Sequence, residues 1–421
     1  MKYCFVFFFL IIGYNHVVYA QTLEKTIQIV LKNNPAISAS KTNETIAHEQ
    51  LLKAHHPYKP KMDIRMSAGE QWIHHEFFDE SLFRYDMELF IRQNIFNGFE
   101  TTYSIQKNEA QLNYATNIKY ETINKIVFNV ISLYIELIRY KDLLDIAEDK
   151  VNLHERILNK IKTKAESGAG TQADVELVEW RLASSRAEWL SLSEKQKLTE
   201  IQLLSLTQTS SIQLSYPVPP SQLPLTIEIA IQIAEKNHSG LHAAKAYLAE
   251  TIANGKIVES SFLPKLDFVL RGLIEHNVDG SEGTTNDYAA MLQMTMNVLN
   301  GGADLSQKRI AIQQIKHAQD NLQLVKTQLI ESVSLAWHAL ESARKKYNHL
   351  KKLQSSAEKA REFASQQFKV SKIDLLDLLD IENQYMQSLS LLTTSQYEID
   401  LCIFKLTAVT GTLKESFSNI F

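Results

Sequence analysis

The chain has 421 residues, 44 of them Lys or Arg and 48 Asp or Glu, for a formal net charge of −4. A balance this close to neutral excludes the basic surface that nucleic-acid binding demands. With 13 Gly and 8 Pro against abundant Ala, Leu, Gln, Lys and Glu, the composition favours long helices over loop-rich domains.

Residues 1–20 read as a signal peptide. Lys2 supplies a positive charge, Tyr3 to Ile12 form an apolar run, and Val18-Tyr19-Ala20 offers a cleavage pattern before Gln21. The run is shorter than the roughly 20 residues of a spanning helix, so an N-terminal anchor is the weaker reading. Cys4 leaves with this segment. Cys402 then stands alone, with no internal disulfide to form, and no cysteine near the cleavage point offers a lipid anchor. No later stretch holds 18 apolar residues. The exported chain is therefore either free of membrane spans or crosses the membrane as a β-barrel.

The remainder is a tandem repeat. Ile27-Gln28-Ile29 returns as Ile231-Gln232-Ile233, and Pro60-Lys61-Met62-Asp63 returns as Pro264-Lys265-Leu266-Asp267, both at an offset of 204. Asn97-Gly98 returns as Asn300-Gly301, Tyr134 as Trp337 and Asp174 as Asp377, all at 203. Chance matches would not hold one spacing. Repeat 1 covers 21–210 and repeat 2 covers 225–411. A proline-rich linker at 211–224 joins them, and 412–421 form a tail.

Each repeat opens with two short helices, at about 22–34 and 36–55, then 225–237 and 241–261. Asn33-Asn34-Pro35 breaks the first pair. A strand pair follows, over 61–96 in repeat 1 and 264–299 in repeat 2. In each strand, residues alternate between apolar and polar: Met62, Ile64 and Met66 against Asp63, Arg65 and Ser67; Tyr85, Met87, Leu89 and Ile91 against Asp86 and Glu88; Leu266, Phe268, Leu270 and Ile274 against Asp267, Arg271 and Glu275; Tyr288, Leu292, Met294 and Val298 against Asp287, Gln293, Thr295 and Asn297. Period two gives one apolar and one polar face. Segments near the 9–11 residues of a tilted membrane strand fit a barrel, with lipid outside and water inside. Trp72, Phe77, Phe78, Phe83 and Tyr85 crowd one end as an interfacial girdle would. Alternation by itself also fits an ordinary half-buried hairpin. If the strands do span a membrane, four cannot close a barrel, so several chains must share one.

Long helical stretches complete each repeat, at 99–165 with 172–208 and at 302–369 with 375–410. Apolar residues recur at three- and four-residue steps, as in Ile126, Val130, Leu133 and Leu137, and again in Leu322, Val325, Leu329 and Val333. A 65-residue helix is roughly 100 Å long, a length that suits antiparallel coiled coils rather than a globular core. Gly168 and Gly170 turn the first hairpin, and the segment from Val370 through Ser371 turns the second. Asp174 and Asp374 are expected caps of the returning helices.

This duplicated layout resembles the TolC family of outer-membrane factors over essentially the whole mature chain. The residues that carry the resemblance are the strand starts at Pro60 and Pro264, the exits at Asn97-Gly98 and Asn300-Gly301, and the two hairpin tips. The resemblance implies an α+β membrane protein in the cell outer membrane. It would be a homotrimer giving four strands per chain to a twelve-stranded barrel, continued by a helical coiled-coil tunnel through the periplasm. It implies docking to a periplasmic adaptor (membrane fusion) protein and an inner-membrane pump of the ABC, RND or MFS type. It also implies a periplasmic gate at the second tip, lined by Asp377 and Asp380, with Phe368, Lys372 and Asp174 as restraining neighbours. Read without the resemblance, Asp374, Asp377 and Asp380 are equally a solvated helix face that compensates the helix dipole. Ser371 stands where the family usually has a turn glycine. Ile373 stands where some relatives carry a tethering arginine, so the resemblance implies a gate held less tightly here.

No nucleophile, phosphate loop or cofactor motif supports an enzyme. His55-His56 and His74-His75 lack the i,i+4 spacing of helical metal ligands. The function expected is a passive export conduit for an efflux pump or a type I secretion system. The alternative is a periplasmic coiled-coil adaptor or scaffold without a barrel.

Overall fold

The structure is a computed structural model that describes residues 23–76, 78–209, 214–278, 282–370 and 372–417. Residues 1–22, which include the expected signal peptide, Phe77, residues 210–213 and 279–281, Ser371 and residues 418–421 lie outside them, as does the side chain of Phe78.

Both repeats build the same elements in the same order. In repeat 1 these are α1 (Leu23–Asn33), α2 (Pro35–Ala54), β1 (Lys61–His75), β2 (Phe78–Phe96), α3 (Glu100–Glu166) and α4 (Gln172–Thr207). In repeat 2 they are α5 (Ile227–Asn237), α6 (Ser239–Ser260), β3 (Lys265–His276), β4 (Thr284–Thr295), α7 (Ala303–Lys369) and α8 (Leu375–Thr410). The long helices α3 and α7 are each 67 residues, and their return helices α4 and α8 are each 36. Local chemistry sets several of these boundaries. Asn34 caps α2 by accepting from the Ala36 and Ile37 amides, with Pro35 in the first turn, where its missing N–H costs nothing. At the strand-to-helix exits Gly98, Gly301 and Gly302 all take positive φ, the left-handed turn that glycine adopts without strain.

Two boundaries differ from expectation. The strands run to 15, 19, 12 and 12 residues, longer than 9–11. The fourth stops at Thr295, so Asn297 and Val298 precede α7 outside the ladder. The first hairpin continues beyond the last β2–β3 pair, Tyr85 with His276, which accounts for its extra length.

The four strands form one antiparallel sheet in chain order, β1-β2-β3-β4. Below it the helices stack in two tiers. In the upper tier the neighbours run α2, α3, α6, α7; in the lower tier they run α4, α3, α8, α7. Only α3 and α7 pass through both. The tiers meet at a waist whose core joins Ile27 and Val30 of α1, Ile37 of α2, Val127, Ile131 and Tyr134 of α3, Leu203 of α4 and Phe404 of α8. The linker is pinned there: Tyr134 Oη donates to the Ser215 carbonyl at 3.1 Å and accepts from the Ser215 amide at 2.9 Å. Among the described residues no helix is long and apolar enough to cross a membrane.

Candidate functional site

The strand register sorts the side chains. Met62, Ile64 and Met66 of β1 lie opposite Ile91, Leu89 and Met87 of β2. Those three face Leu270, Gly272 and Ile274 of β3, and Leu266, Phe268 and Leu270 face Met294, Leu292 and Ala290 of β4. One face of the whole sheet is therefore apolar, and it is the exposed one: Met66 is 66 % exposed and Trp72 is 74 %. On β3 the pattern is inverted relative to a soluble sheet. Phe268, Leu270 and Ile274 stand in the open, while Val269 on the opposite face is 1 % exposed. Trp72, Phe83, Tyr85 and Tyr288 gather on the apolar face toward the end away from the helices, with Trp72, Phe83 and Tyr85 in the girdle positions expected from sequence.

The other face carries the charges, largely self-paired, beside Phe90, Val269, Leu273 and Met291. Arg65 on β1 meets Glu88 on β2 at 3.0 Å; Glu88 meets Arg271 on β3 at 2.8 Å; Arg271 approaches Asp287 on β4 at 3.8 Å. Asn94 donates to Asp267 at 2.8 Å, and Ser67 donates to Asp86. On the apolar face Glu70 is the one acidic residue of β1, between Ala68 and Trp72, and an exposed apolar area of this extent marks a contact surface. It suits a lipid-bounded barrel wall around a wet lumen.

The opposite pole of the molecule holds the hairpin tips. Gly168 turns the first at φ 73°, and a methyl group at Gly170 would lie 3.2 Å from the Ala165 amide nitrogen. Thr171, not Asp174, caps α4: its hydroxyl accepts from the Asp174 amide at 3.1 Å, and the Asp174 carboxylate accepts from the Thr171 amide at 3.2 Å. Asp174 is thus occupied within its own turn rather than reaching the second hairpin. Asp374 caps α8 as expected, accepting from the Asp377 amide at 2.8 Å.

An apolar cluster ties the tips together: Leu158 and Ile161 of α3, Val175, Val178 and Leu182 of α4, and Leu375 and Leu379 of α8, with Phe368 packed against them. Lys164 lies 5.4 Å above the Phe368 ring. Lys372 is exposed, and its amide donates to the Gln367 carbonyl at 2.9 Å. Asp377 is exposed, whereas Asp380 is held by Arg181 of α4 at 2.5 Å across the two hairpins. The guanidinium also lies 4.8 Å from the Trp180 ring, and its Nε is buried without a hydrogen-bond partner. Arg181 was not found from the sequence. Its one signal in the sequence is a cation between the apolar residues Val178 and Leu182 of α4.

Behind Arg181 lies His154 of α3, buried, with Nδ1 2.7 Å from the Ser185 hydroxyl of α4, which in turn donates to the Arg181 carbonyl at 3.0 Å. Because that hydroxyl proton is committed, His154 donates from Nδ1. Burial, then the neighbouring Lys150 and Arg181 charges, pushes its pKa down to about 4 from 6.5. The folded pKa lies below the unfolded one, so the unfolded chain binds the extra proton between these values. The stability contributed by neutral His154 is complete above pH 6.5 and is lost as pH falls toward 4. Replacing His154 by Leu should flatten this part of the acid limb when thermal unfolding is followed from pH 7 to pH 4. An acid limb as steep as in the parent chain would remove His154 from the account.

His55 Nδ1 lies 2.9 Å from the Leu51 carbonyl, and His74 pairs with Asp79. Among the described residues no cluster of three or more His, Cys, Asp or Glu side chains has metal-binding proximity.

The comparisons with known proteins agree with this geometry. A family model described as outer membrane efflux protein matches residues 26–208 and again 230–412. The chain is 20 % identical over 396 residues to the outer membrane efflux protein BepC of Brucella suis, covering 93 % of this chain and 86 % of that one. It is similar in fold to the CmeC outer membrane channel of Campylobacter jejuni, with a TM-score of 0.82 at 15 % identity over 93 % of this chain and 86 % of that one. It is likewise similar to the outer membrane protein VceC of Vibrio cholerae, with a TM-score of 0.83 at 15 % identity over 92 % and 96 %.

Proposed function

Because the chain belongs to the outer membrane efflux protein family, we infer that it is the passive exit duct of a tripartite export machine. The observation that carries this reading is the inside-out sheet. Four strands with lipid-compatible side chains outside and paired charges inside form one third of a twelve-stranded wall, so three copies close the barrel. The two helical tiers continue the lumen through the periplasm. With α3 and α7 each near 100 Å long, the duct reaches across that compartment. No nucleotide-binding loop is present in the sequence, so the work of transport belongs to an inner-membrane pump, joined through a periplasmic adaptor.

The tip is the gate. Threefold symmetry turns Asp377 into a ring of three exposed carboxylates and Asp380 into a second ring, one helical turn away. Arg181 occupies Asp380 and couples the hairpins, so the resting tip presents Asp377 as its free acid ring. Phe368 belongs to the packing beneath the gate.

Conductance of the purified, detergent-extracted protein in a planar lipid bilayer tests this. Discrete cation-selective steps are expected, with selectivity reduced by Asp377→Asn. Folded protein that neither inserts nor conducts would overturn the duct and favour a periplasmic scaffold. Insertion with selectivity unchanged by Asp377→Asn would remove the acid ring from the path.

A further inference from the structure

The helical hairpin of repeat 2, α7 with α8, carries a charged pair where that of repeat 1, α3 with α4, is apolar. At the offset of 203, Leu158, Glu179 and Leu182 correspond to Arg361, Glu382 and Tyr385. In repeat 1 both leucines are buried in the seam, and Glu179 turns outward to Lys162 at 2.7 Å, each about half-exposed. In repeat 2 the counterpart of Lys162 is Ser365, so the glutamate has no cation at the surface. The cation sits one turn earlier, at Arg361, and the glutamate has followed it inward. Arg361 Nε donates to the Glu382 carboxylate at 2.8 Å, and Glu382 is 6 % exposed. The Arg361 guanidinium lies 4.5 Å from the Tyr385 ring.

Glu382 lies on the far side of α8 from the two tip acids. At 3.6 residues per turn it is about 140° round the helix from Asp377 and about 160° from Asp380. The helix is therefore gripped from two sides. Arg181 of α4 holds Asp380, and two residues on Arg361 of α7 holds Glu382. A buried ion pair seldom adds stability over apolar residues of similar volume, and its best use is to fix the register of packed helices. Repeat 1 shows that this seam closes without one.

We propose that Arg361 is a positioning residue for the gate. By drawing Glu382 into the α7 seam it sets the rotation of α8, and so turns Asp377 out of the seam and into the conduction path. Without it, α8 rolls until Glu382 reaches water, and Asp377 is carried away from the path. Arg181 restrains where the tip of α8 lies, whereas Arg361 fixes which face it presents.

This inference rests on the acid-ring reading above, and thiol labelling separates the two. Asp377→Cys is placed in a Cys402→Ser background, and the trimer is treated in a planar bilayer with a positively charged methanethiosulfonate reagent. Modification is expected to reduce the cation current. Arg361→Leu with Ser365→Lys gives repeat 2 the arrangement of repeat 1 and keeps a packed seam. In that background the modification rate should fall roughly tenfold or more, because access governs thiol reactivity, with thermal unfolding unchanged. Arg361→Gln alone, which leaves the seam filled, should lower the rate as well. Exchange of the pair, Arg361→Glu with Glu382→Arg, should return it to the starting value. A rate unchanged in the first two backgrounds overturns the positioning role and leaves the acid ring standing. Modification of Asp377→Cys that leaves the current untouched overturns the acid ring and this inference with it.

Discussion

Leu270→Lys is expected to abolish barrel assembly. Leu270 lies mid-strand on the apolar face, between Ile91 and Ala290, with its side chain in the open. A lysine at the midplane of a membrane barrel costs about 2–4 kcal/mol per chain. Three copies per barrel multiply that to roughly 6–12 kcal/mol, comparable to the whole stability of an ordinary domain. The control is Gln293→Lys, on the lumen face opposite Asp267, which should assemble normally. Urea extraction of membranes reads the difference: the parent and Gln293→Lys remain in the membrane, and Leu270→Lys does not. If Leu270→Lys stayed membrane-embedded and conducted, the apolar face would not be the lipid face.

The second large effect is at the proposed gate. Arg181→Ala removes the cross-hairpin pair with Asp380 and frees a second acid ring. A hydrogen bond to a charged group contributes about 1.5–3 kcal/mol, and exposed ion pairs about 0–1 kcal/mol. Asp380 is 48 % exposed and Arg181 20 %, so about 1 kcal/mol per chain is a fair discount. Lost three times over, that shifts a concerted open–closed balance by about 3 kcal/mol, on the order of a hundredfold. Single-channel recording should show a higher open probability and stronger cation selectivity. Arg181→Lys should recover part of the restraint, since it keeps the charge and loses the planar fork. An open probability unchanged by Arg181→Ala would confine the pair to structural packing.

Much of this architecture was legible because a duplicated sequence offers two independent readings of each element. The helix ends at Glu166, Lys369 and Thr410 lie within a residue of the boundaries read from Gly, Pro and periodicity, and the alternation of β1 to β4 marked the apolar face that the sheet exposes. What failed was of a different kind. Val298 continues the period of β4, yet the ladder ends at Thr295, because period two records side-chain direction and not hydrogen bonding. Asp174 was expected as a cap, but Thr171 holds that place and Asp174 completes the box from the third position. Arg181 was invisible because its partner is 199 residues away, and only the packing of α4 beside α8 brings them together.

The unequal helix lengths have a mechanical consequence. Two of the four columns in each tier, α3 and α7, are continuous rails, while the other two are spliced at the waist, where α2 and α6 give way to α4 and α8. Only α3 and α7 therefore carry an unbroken helical backbone from one tier to the other, and the shorter columns are joined end to end through side-chain packing in the waist core rather than through a continuous hydrogen-bonded helix.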